Sequence, residues 1–450
     1  MKVCKFGGSS LADAAQVTKV RDIVLADPDR RLVVVSAPGK RNKADTKVTD
    51  LLIAAAEARL AGGDGVAETA RVVDRYAGMV RDLKLGDAVL GDITADLNRC
   101  VASDRSHRGR YLDRVKAAGE DNSARLMAAV FRAAGADASY VSPKDAGLLL
   151  SDEFGNARVL PESYARLESL KRRRGIVVFP GFFGMTPGGD VATFPRGGSD
   201  ITGSILAAAV RADVYENFTD VDHVYSTDPR VVPGATPIHE LTYREMRELS
   251  YAGFGVFHDE AVVPAVEAGI PICIRNTNRP DAPGTWVKPE RKFEPGRVVG
   301  IACGDGFATV FVSKYLMNRE VGFGRRLLQI FEDEGLSYEH IPSGIDNLSV
   351  ILREGVLAPK EAHVIERIRT ELGATDIEVE RGLALIMIVG EGMRYTVGLA
   401  ARATRTLADA GVNIEMLNQG SSEISMMFGV KSVDAHKAVR ALYREFFPTE

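Results

Sequence analysis

The stretch KFGGSS, residues 5–10, sets a lysine, two glycines and two hydroxyls side by side near the start of the chain. Residues 1–6 are predicted to form a strand and residues 14–26 a helix, so the stretch is a strand-to-helix turn. Glycines let backbone N–H groups approach a ligand closely, a helix amino terminus favours an anion, and a lysine suits phosphate. The turn therefore predicts a phosphate contact, although its spacing matches neither a P-loop nor a dinucleotide fingerprint. A tight turn with a solvated lysine is the alternative.

A second cluster, RGGSD at 196–200, precedes an apolar helical run. Gly197 and Gly198 again let the backbone approach a ligand closely. Ser199 or Asp200 is predicted to cap a helix that begins at about Ser199. Arg196 can hold a carboxylate or a phosphate in a bidentate fork. The alternative is an ordinary capped helix with its apolar side chains in the core.

The third cluster is the polar segment TDVDHVYSTDPR at 219–230. Its Asp-Pro pair and neighbouring hydroxyls predict turns. Asp220, Asp222, Asp228 and Arg230 could supply polar groups to a nucleotide or to hydrated magnesium. Taken alone, the segment is only a polar loop.

The bulk composition excludes several classes of protein. The 450 residues predict two to four domains, and 45% hydrophobic with 26% charged residues is ordinary for a soluble globular chain. A net charge of −4 gives no reason to expect nucleic acid, and the basic run at 171–174 is predicted to be a solvated helix end. The four cysteines and seven histidines lack metal-ligand spacing, so no zinc site is expected and a reduced cytoplasm fits best. Without an apolar run of about 18 residues, membrane insertion is not expected.

Strand-like runs at 31–36, 175–181 and 271–277 alternate with long helical segments. This order predicts a sheet sandwiched between helices, and the segment 278–296, dense in proline, glycine and charge, predicts the main boundary. Beyond it the chain repeats itself, because four residues recur 76 positions later: Gly322, Gly335, Gly344 and Ser349 match Gly398, Gly411, Gly420 and Ser425. The repeat predicts two copies of one α+β module, each in the order strand, glycine loop, helix, glycine turn, strand, loop, strand.

Together the motifs resemble the aspartokinases of the amino-acid kinase superfamily, over essentially the whole chain. The motifs on which the resemblance rests occur in the family's order, and they are KFGGSSLAD (5–13), VVVSAPGK (33–40), GEDNSARL (119–126), RGGSD (196–200) and TDVDHVYSTDPRVVP (219–233). They are followed by repeats that resemble ACT modules. The resemblance implies an α/β three-layer sandwich kinase domain at 1–295 and two ferredoxin-like α+β ACT domains at 305–380 and 381–450. A strand at 297–304 is a candidate to complete the second ACT domain.

The resemblance also implies the activity and the site. A member of this family transfers the γ-phosphoryl group of ATP to the side-chain carboxylate of L-aspartate with Mg²⁺, the first step of the aspartate-family amino-acid pathway. The implied catalytic pair is Lys5 and Asp200. The implied ATP contacts are Lys5, Gly7, Gly8, Ser9, Thr219, Asp220, Tyr225, Asp228 and Arg230. The implied substrate contacts are Ser36, Thr49, Glu120, Arg196, Gly197, Gly198 and Ser199, with Glu120 on the aspartate ammonium and Arg196 on its α-carboxylate.

For the tail, the resemblance implies an ACT-mediated homodimer or higher oligomer and feedback inhibition by lysine or threonine. The first copy is the predicted effector site, with Asp346 facing a loop that carries Met317, Asn318 and Gly322. The sequence departs from the family where GFGVFH replaces G-A-K-V-L-H, so Gly255 stands in place of a lysine, and Asp259 follows His258 in place of a proline. These departures put a peripheral nucleotide contact in doubt.

Two other functions remain open from the sequence. One is a kinase of the same superfamily that acts on acetylglutamate, glutamate, carbamate or UMP, although such kinases generally lack a tail of this kind. The other is a non-catalytic amino-acid sensor, against which Lys5, Glu120, Arg196 and Asp200 are evidence. Because the sequence ends at Glu450, no fused homoserine dehydrogenase domain is expected in it.

Overall fold

The computed structural model describes residues 1–195, 197–251, 253, 259–420 and 424–448. These divide into two compact units. The first comprises Met1–Val224, Ile238–Met246 and Gly255–Arg291, and the second comprises Tyr225–Pro237, Arg247–Phe254 and Lys292–Glu450.

The strands, in chain order, are β1 Lys2–Phe6, β2 Arg30–Val35, β3 Ala138–Tyr140, β4 Ile176–Pro180, β5 Phe183–Met185, β6 Val191–Thr193, β7 Val214–Thr219, β8 Val224–Tyr225, β9 Pro237–Ile238, β10 Glu240–Thr242, β11 Ile272–Asn276, β12 Thr285–Lys288, β13 Gly300–Ser313, β14 Asn347–Arg353, β15 Asp376–Val389, β16 Met416–Asn418 and β17 Ser425–Lys431.

The helices are α1 Ala14–Leu25, α2 Val48–Leu60, α3 Val66–Asp82, α4 Asp87–Val101, α5 Arg108–Ala133, α6 Pro143–Ala146, α7 Glu162–Leu167, α8 Gly198–Val210, α9 Tyr243–Tyr251, α10 Val263–Glu267, α11 Phe323–Asp333, α12 Glu354–Leu357, α13 Glu361–Leu372, α14 Leu399–Asp409 and α15 Ala435–Phe446. Short 3₁₀ turns cover Gly8–Leu11, Glu168–Arg172, Asp259–Val262, Met317–Arg319, Glu391–Met393 and Ser432–Asp434.

The first unit is built on an eight-stranded sheet in the order β10-β12-β11-β7-β1-β2-β4-β3. The six strands from β11 to β3 run parallel, and only the β11–β12 pairing is antiparallel. The carboxyl ends of these parallel strands meet at one edge of the sheet, which is where ligands bind in open α/β folds. This edge therefore positions the candidate site.

Helices cover both faces of this sheet. Cys4, Phe6 and Val33 on one face share a hydrophobic core with helices α1 to α5. Lys5 and Asn217 alternate with these residues and point to the other face, where α8 packs on β1, β2 and β7. The alternation places a lysine and an amide beside the first turn of α8, and the layering confirms the predicted three-layer α/β fold.

The second unit contains a five-stranded antiparallel sheet in the order β14-β13-β15-β17-β16. Strands β13 and β15 are long, and they shift register near Gly306 and Gly382, both of which have positive φ. One hydrophobic core contains side chains of α11, α13, β14 and the half of β13 that pairs with β14. A second core contains side chains of α14, α15, β17 and the half of β15 that pairs with β17. The repeat thus corresponds to two cores on one sheet, as expected of α+β ACT modules.

The repeated glycines have the same backbone roles in both copies. Gly322 and Gly398 precede α11 and α14 in the left-handed conformation, and Gly335 and Gly411 follow those helices in it. The predicted element order was wrong in two respects. Each copy contains a second helix, α13 or α15, whose apolar side chains complete its core. In the first copy, the described segment between Gly335 and β14 forms isolated bridges at His340 and Ser343 and not the predicted strand. The domain bounds proposed from the sequence stay a prediction.

Candidate functional site

A cleft of about 510 Å³ opens at the carboxyl edge of the parallel strands in the first unit. Ten of the residues singled out in the sequence line it: Lys5, Gly7, Gly8, Ser36, Thr49, Glu120, Gly197, Gly198, Ser199 and Asp200. They come from β1 and the turn after it, the loop after β2, α2, α5, and α8 with its N-cap. Helices from both faces of the sheet therefore contribute to the cleft at the strand ends.

Lys5 forms the centre of a polar triad at the end of β1. Its Nζ lies 2.5 Å from Asp200 Oδ1 and 3.4 Å from Asn217 Oδ1, and Asn217 Nδ2 donates to Asp200 Oδ1 at 2.8 Å. The pairing of Lys5 with Asn217 follows from the register of β1 and β7. The lysine and the asparagine are both buried. The triad fixes an ammonium group at the cleft, which suits a phosphate.

The glycine turn after β1 is held by the backbone. Gly7 N–H donates to Phe218 O at 3.2 Å, and Gly39 N–H donates to Gly8 O at 2.8 Å. A Cβ on Gly39 would lie 2.6 Å from the carbonyl carbon of Gly8, so only glycine fits there. The Gly7 amide is therefore engaged within the fold, while the turn approaches the loop after β2 very closely.

The second glycine cluster begins α8 differently from the sequence prediction. The helix begins at Gly198, and its N-cap is Gly197, which has a φ of 83°. Ser199 and Asp200 lie inside the first turn, and no described side chain caps the helix, so the predicted capping by either residue was wrong. Because Asp200 is helical, its carboxylate reaches Lys5 instead. Arg196 lies outside the described residues.

Glu120 is the most unusual ionisable group of the cleft. It lies on α5, is 5% exposed, and its Oε2 has no hydrogen-bond partner among the described residues. Burial raises the pKa of this carboxyl to about 8, although the Ala37 N–H bond and nearby Lys116 favour the charged form. A buried carboxyl group with a free oxygen is suited to an ammonium group, whose positive charge favours the deprotonated form.

The remaining predicted contacts lie elsewhere. Ser9 is exposed and is not part of the cleft lining, whereas the neighbouring Ser10 hydroxyl is buried against Thr277 Oγ1 at 2.7 Å. Thr219 and Asp220 lie where β7 ends, in the first unit but outside the lining. Tyr225, Asp228 and Arg230 belong to the second unit.

Within that unit, Arg230 Nη2 pairs with Asp228 Oδ2 at 2.7 Å, and this bond lowers the pKa of the Asp228 carboxyl. The departure at Gly255 and His258 lies outside the described residues.

Sequence reasoning did not select Asn217 or Lys116. Asn217 follows Glu216 in the strand VYENFT, and two polar residues in the middle of a strand that is predicted to be buried are a signal that could have been used. Lys116 lies one helical turn before Glu120 and lines the cleft, paired with Asp113 Oδ1 at 2.8 Å. Among the described residues, no group of three or more His, Cys, Asp or Glu side chains is arranged to hold a metal ion. Nor does any helix in the described part of the chain have the length and apolarity to span a membrane.

The first-module loop predicted to bind an effector also has a defined geometry. Asn318 N–H donates to Ile345 O at 3.2 Å, and Lys314 N–H donates to Asp346 O at 2.9 Å. Asp346 Oδ1 is buried, and no described residue bonds to it. The two loops therefore meet beside the Asp346 carboxylate, whose Oδ1 can still accept a hydrogen bond.

Residues 1–276 match the model of the amino acid kinase family, and residues 386–446 match that of an ACT domain. The fold and the cleft thus define an amino-acid kinase with a carboxyl-terminal ACT region. Aspartokinase 3 of Bacillus subtilis (strain 168) is 59% identical over 448 residues, which cover 99% of each chain. The chain belongs to the aspartokinase family.

Solved structures agree with this membership. Aspartate kinase of Clostridium acetobutylicum is 36% identical, with a TM-score of 0.86 over 99% of this chain and 100% of that one. Aspartokinase III of E. coli, in complex with aspartate and ADP, is 26% identical, with a TM-score of 0.78 over 99% and 100% of the two chains. The same E. coli enzyme has a structure with lysine and aspartate, which matches with a TM-score of 0.76 over 99% of each chain.

Proposed function

We propose that the cleft is the centre in which this aspartate kinase transfers the γ-phosphoryl group of ATP to the side-chain carboxylate of L-aspartate, giving 4-phospho-L-aspartate and ADP. One observation carries the proposal: a single cleft combines the fixed ammonium of Lys5 with the buried, unpartnered carboxylate oxygen of Glu120. The first suits a transferring phosphate, and the second suits the α-ammonium of an amino acid. The complex of the E. coli relative with aspartate and ADP supports this pairing of ligands.

The acceptor needs no general base. A free aspartate carboxylate has a pKa of about 3.9, so at neutral pH it is already the nucleophile. Catalysis then rests on alignment of the two reactants and on neutralising the charge that moves between them.

On the phosphate side, Lys5 faces the β- and γ-phosphates with Gly7 and Gly8, and Ser9 lies beside them. Asp200 orients the lysine, which its 2.5 Å contact supports. Mg²⁺ when bound neutralises phosphate charge, and we assign it mainly to phosphate oxygens and water because Asp200 already accepts from Lys5 and Asn217.

On the acceptor side, Glu120 receives the aspartate ammonium and Arg196 clamps its α-carboxylate. The hydroxyls of Ser36 and Thr49 and the first turn of α8, from Gly197 to Ser199, complete the substrate contacts. The adenosine and outer phosphate contacts that we assign are Thr219, Asp220, Tyr225, Asp228 and Arg230.

We further propose that the kinase domain spans 1–295, that the ACT domains span 305–380 and 381–450 with the strand at 297–304, and that they bind a feedback effector, lysine or threonine. Asp346, Met317, Asn318 and Gly322 form the effector site, which the free Asp346 oxygen supports. Val321 and Val397 are 98% and 99% exposed at equivalent positions of the two copies, which supports an ACT-mediated homodimer.

The direct test is ADP release with aspartate, glutamate, acetylglutamate or no acceptor. We expect aspartate-dependent release and little with the other acceptors. Preference for another acceptor would favour a different kinase of the superfamily. Binding of lysine or threonine without any ADP release would favour a sensor.

A further inference from the structure

Arg75 lies outside the cleft, on α3, and its side chain is only 4% exposed. Its guanidinium makes four short contacts with two separate segments. Nη1 donates to Ala12 O at 2.9 Å, just after the glycine turn. Nη2 lies 3.2 Å from Gly39 O, 2.6 Å from Asp45 Oδ2 and 3.1 Å from Thr46 O, all in the loop at 36–47.

The loop at 36–47 touches both halves of the proposed site. Gly39 N–H bonds to Gly8 O on the phosphate side, at 2.8 Å. Ala37 N–H bonds to the Glu120 carboxylate on the acceptor side. The loop also carries Ser36 at its start and leads directly into α2 with Thr49. Its position therefore sets the spacing between the phosphate contacts and the acceptor contacts.

We propose that Arg75 is a positioning residue for phosphoryl transfer: from behind the cleft, it fixes the loop at 36–47 against the turn that follows β1. The proposal rests on the proposed function, because it concerns the same cleft. Arginine suits the task, since two nitrogens of its planar fork reach the two segments separately, whereas the donors of a lysine all lie on one nitrogen. A shift of about 1 Å in a positioning element can cost about 10²-fold in rate.

The obvious competing explanation is that Arg75 only stabilises the fold. A matched control separates the two roles. Val72 lies one turn earlier on α3, is fully buried, and belongs to the hydrophobic core. Val72→Ala should lower the melting temperature without removing any bond to the loop.

The first measurement is the kinetics of ADP release by wild type, Arg75→Ala, Arg75→Lys and Val72→Ala, alongside each melting temperature. We expect kcat/KM for aspartate to fall about 10²-fold in both Arg75 variants and to stay within threefold in Val72→Ala. Methylguanidinium at millimolar concentration should restore at least part of the loss in Arg75→Ala alone. If Arg75→Ala does not fold, Arg75→Lys is compared with wild type and Val72→Ala in its place.

The second measurement does not depend on activity. The loop contains Lys40, Arg41, Lys43 and Lys47, so trypsin reports its exposure, and mass spectrometry identifies the cut. We expect cleavage in this loop to become at least about tenfold faster in Arg75→Ala and Arg75→Lys, with Val72→Ala unchanged.

Equal cleavage rates, or kinetic losses no larger than those of Val72→Ala, would overturn the proposal. A wild type without aspartate-dependent ADP release would instead refute the proposed function, and the cleavage result would still decide whether Arg75 fixes the loop.

Discussion

Two carboxylates in different units share one property: Glu120 in the cleft and Asp346 in the first ACT module each have a buried oxygen without a described hydrogen-bond partner. Their surroundings differ. Glu120 lies in the middle of the 26-residue helix α5, where Ala118, Gly119 and Asn122 are also buried. Asp346 lies on a loop just before β14 and is held there through its backbone oxygen, which accepts from Lys314 N–H and Ser313 Oγ.

The difference matches the two tasks that we propose for these groups. A carboxylate on a buried helix is set in place before the ligand arrives, which suits a site where alignment gives the rate. A carboxylate on a loop that meets a second loop through backbone bonds, Asn318 N–H to Ile345 O and Lys314 N–H to Asp346 O, can respond to its ligand, which suits a site whose occupancy has to be transmitted. Substitutions at the two sites, and changes of pH, test this contrast.

Lys5→Ala should reduce kcat by about 10²–10³-fold while the protein stays folded, because a fixed ammonium near the moving charge is lost. The measurement is steady-state ADP release at saturating ATP and aspartate. Lys2→Ala is the matched control, since Lys2 lies at the other end of β1 and pairs with Asp27 at 2.6 Å. Turnover within about threefold of wild type would remove Lys5 from the catalytic group.

Gly39→Ala should reduce kcat/KM for aspartate by about 10²-fold, because the new methyl group forces the loop and the Gly8 turn apart. Gly91→Ala, in the middle of α4, is the control: nothing lies within 4 Å of its Cβ, and alanine should stabilise the helix by about 1 kcal/mol. Normal kinetics in Gly39→Ala would show that the cleft tolerates movement and would weaken the contrast with the ACT loop.

Asp346→Ala should abolish inhibition by lysine or threonine and leave uninhibited activity close to wild type. Coupling between two sites is typically about 1–3 kcal/mol, or about 5–150-fold in affinity, so the shift is readily measured at subsaturating aspartate. Asp376→Ala, an exposed residue of the same module, is the control. Unchanged inhibition in Asp346→Ala would exclude Asp346, and a wild type insensitive to both amino acids would leave the tail as a dimerisation device.

The sequence predicted these sites unevenly, for a physical reason. Glycine clusters such as KFGGSS and RGGSD are local signals, and the glycines of both clusters line the cleft. The Lys5–Asn217 contact joins residues 212 positions apart, and Arg75 reaches its partners from a helix with no unusual local pattern, so neither role was visible from spacing. Val364, Ile368 and Leu372 recur at helical intervals and indicate α13, but this helix lies outside the glycine-marked segments on which the predicted module was based.

The smallest effect concerns pH, and it follows from the burial of Glu120. Because the pKa of this carboxyl is about 8, the free enzyme holds a proton on it at neutral pH, and binding of an ammonium group must displace that proton. The KM for aspartate should therefore fall as pH rises toward 8, by at most about tenfold per pH unit, and then level off. Glu120→Gln should have a high KM that changes little between pH 6.5 and about 8.5, because it has no proton to release.

The same group makes a second, independent prediction about stability. Its pKa is raised in the folded state, so the unfolded chain binds fewer protons between about pH 4.5 and about 8, and the free energy of unfolding falls as pH rises through that window. The melting temperature of Glu120→Gln relative to wild type should accordingly increase from pH 5 to about 8 and stay constant above it. A KM for aspartate that follows the same pH profile in Glu120→Gln as in wild type would assign the titration to another group and would remove the ammonium contact from Glu120.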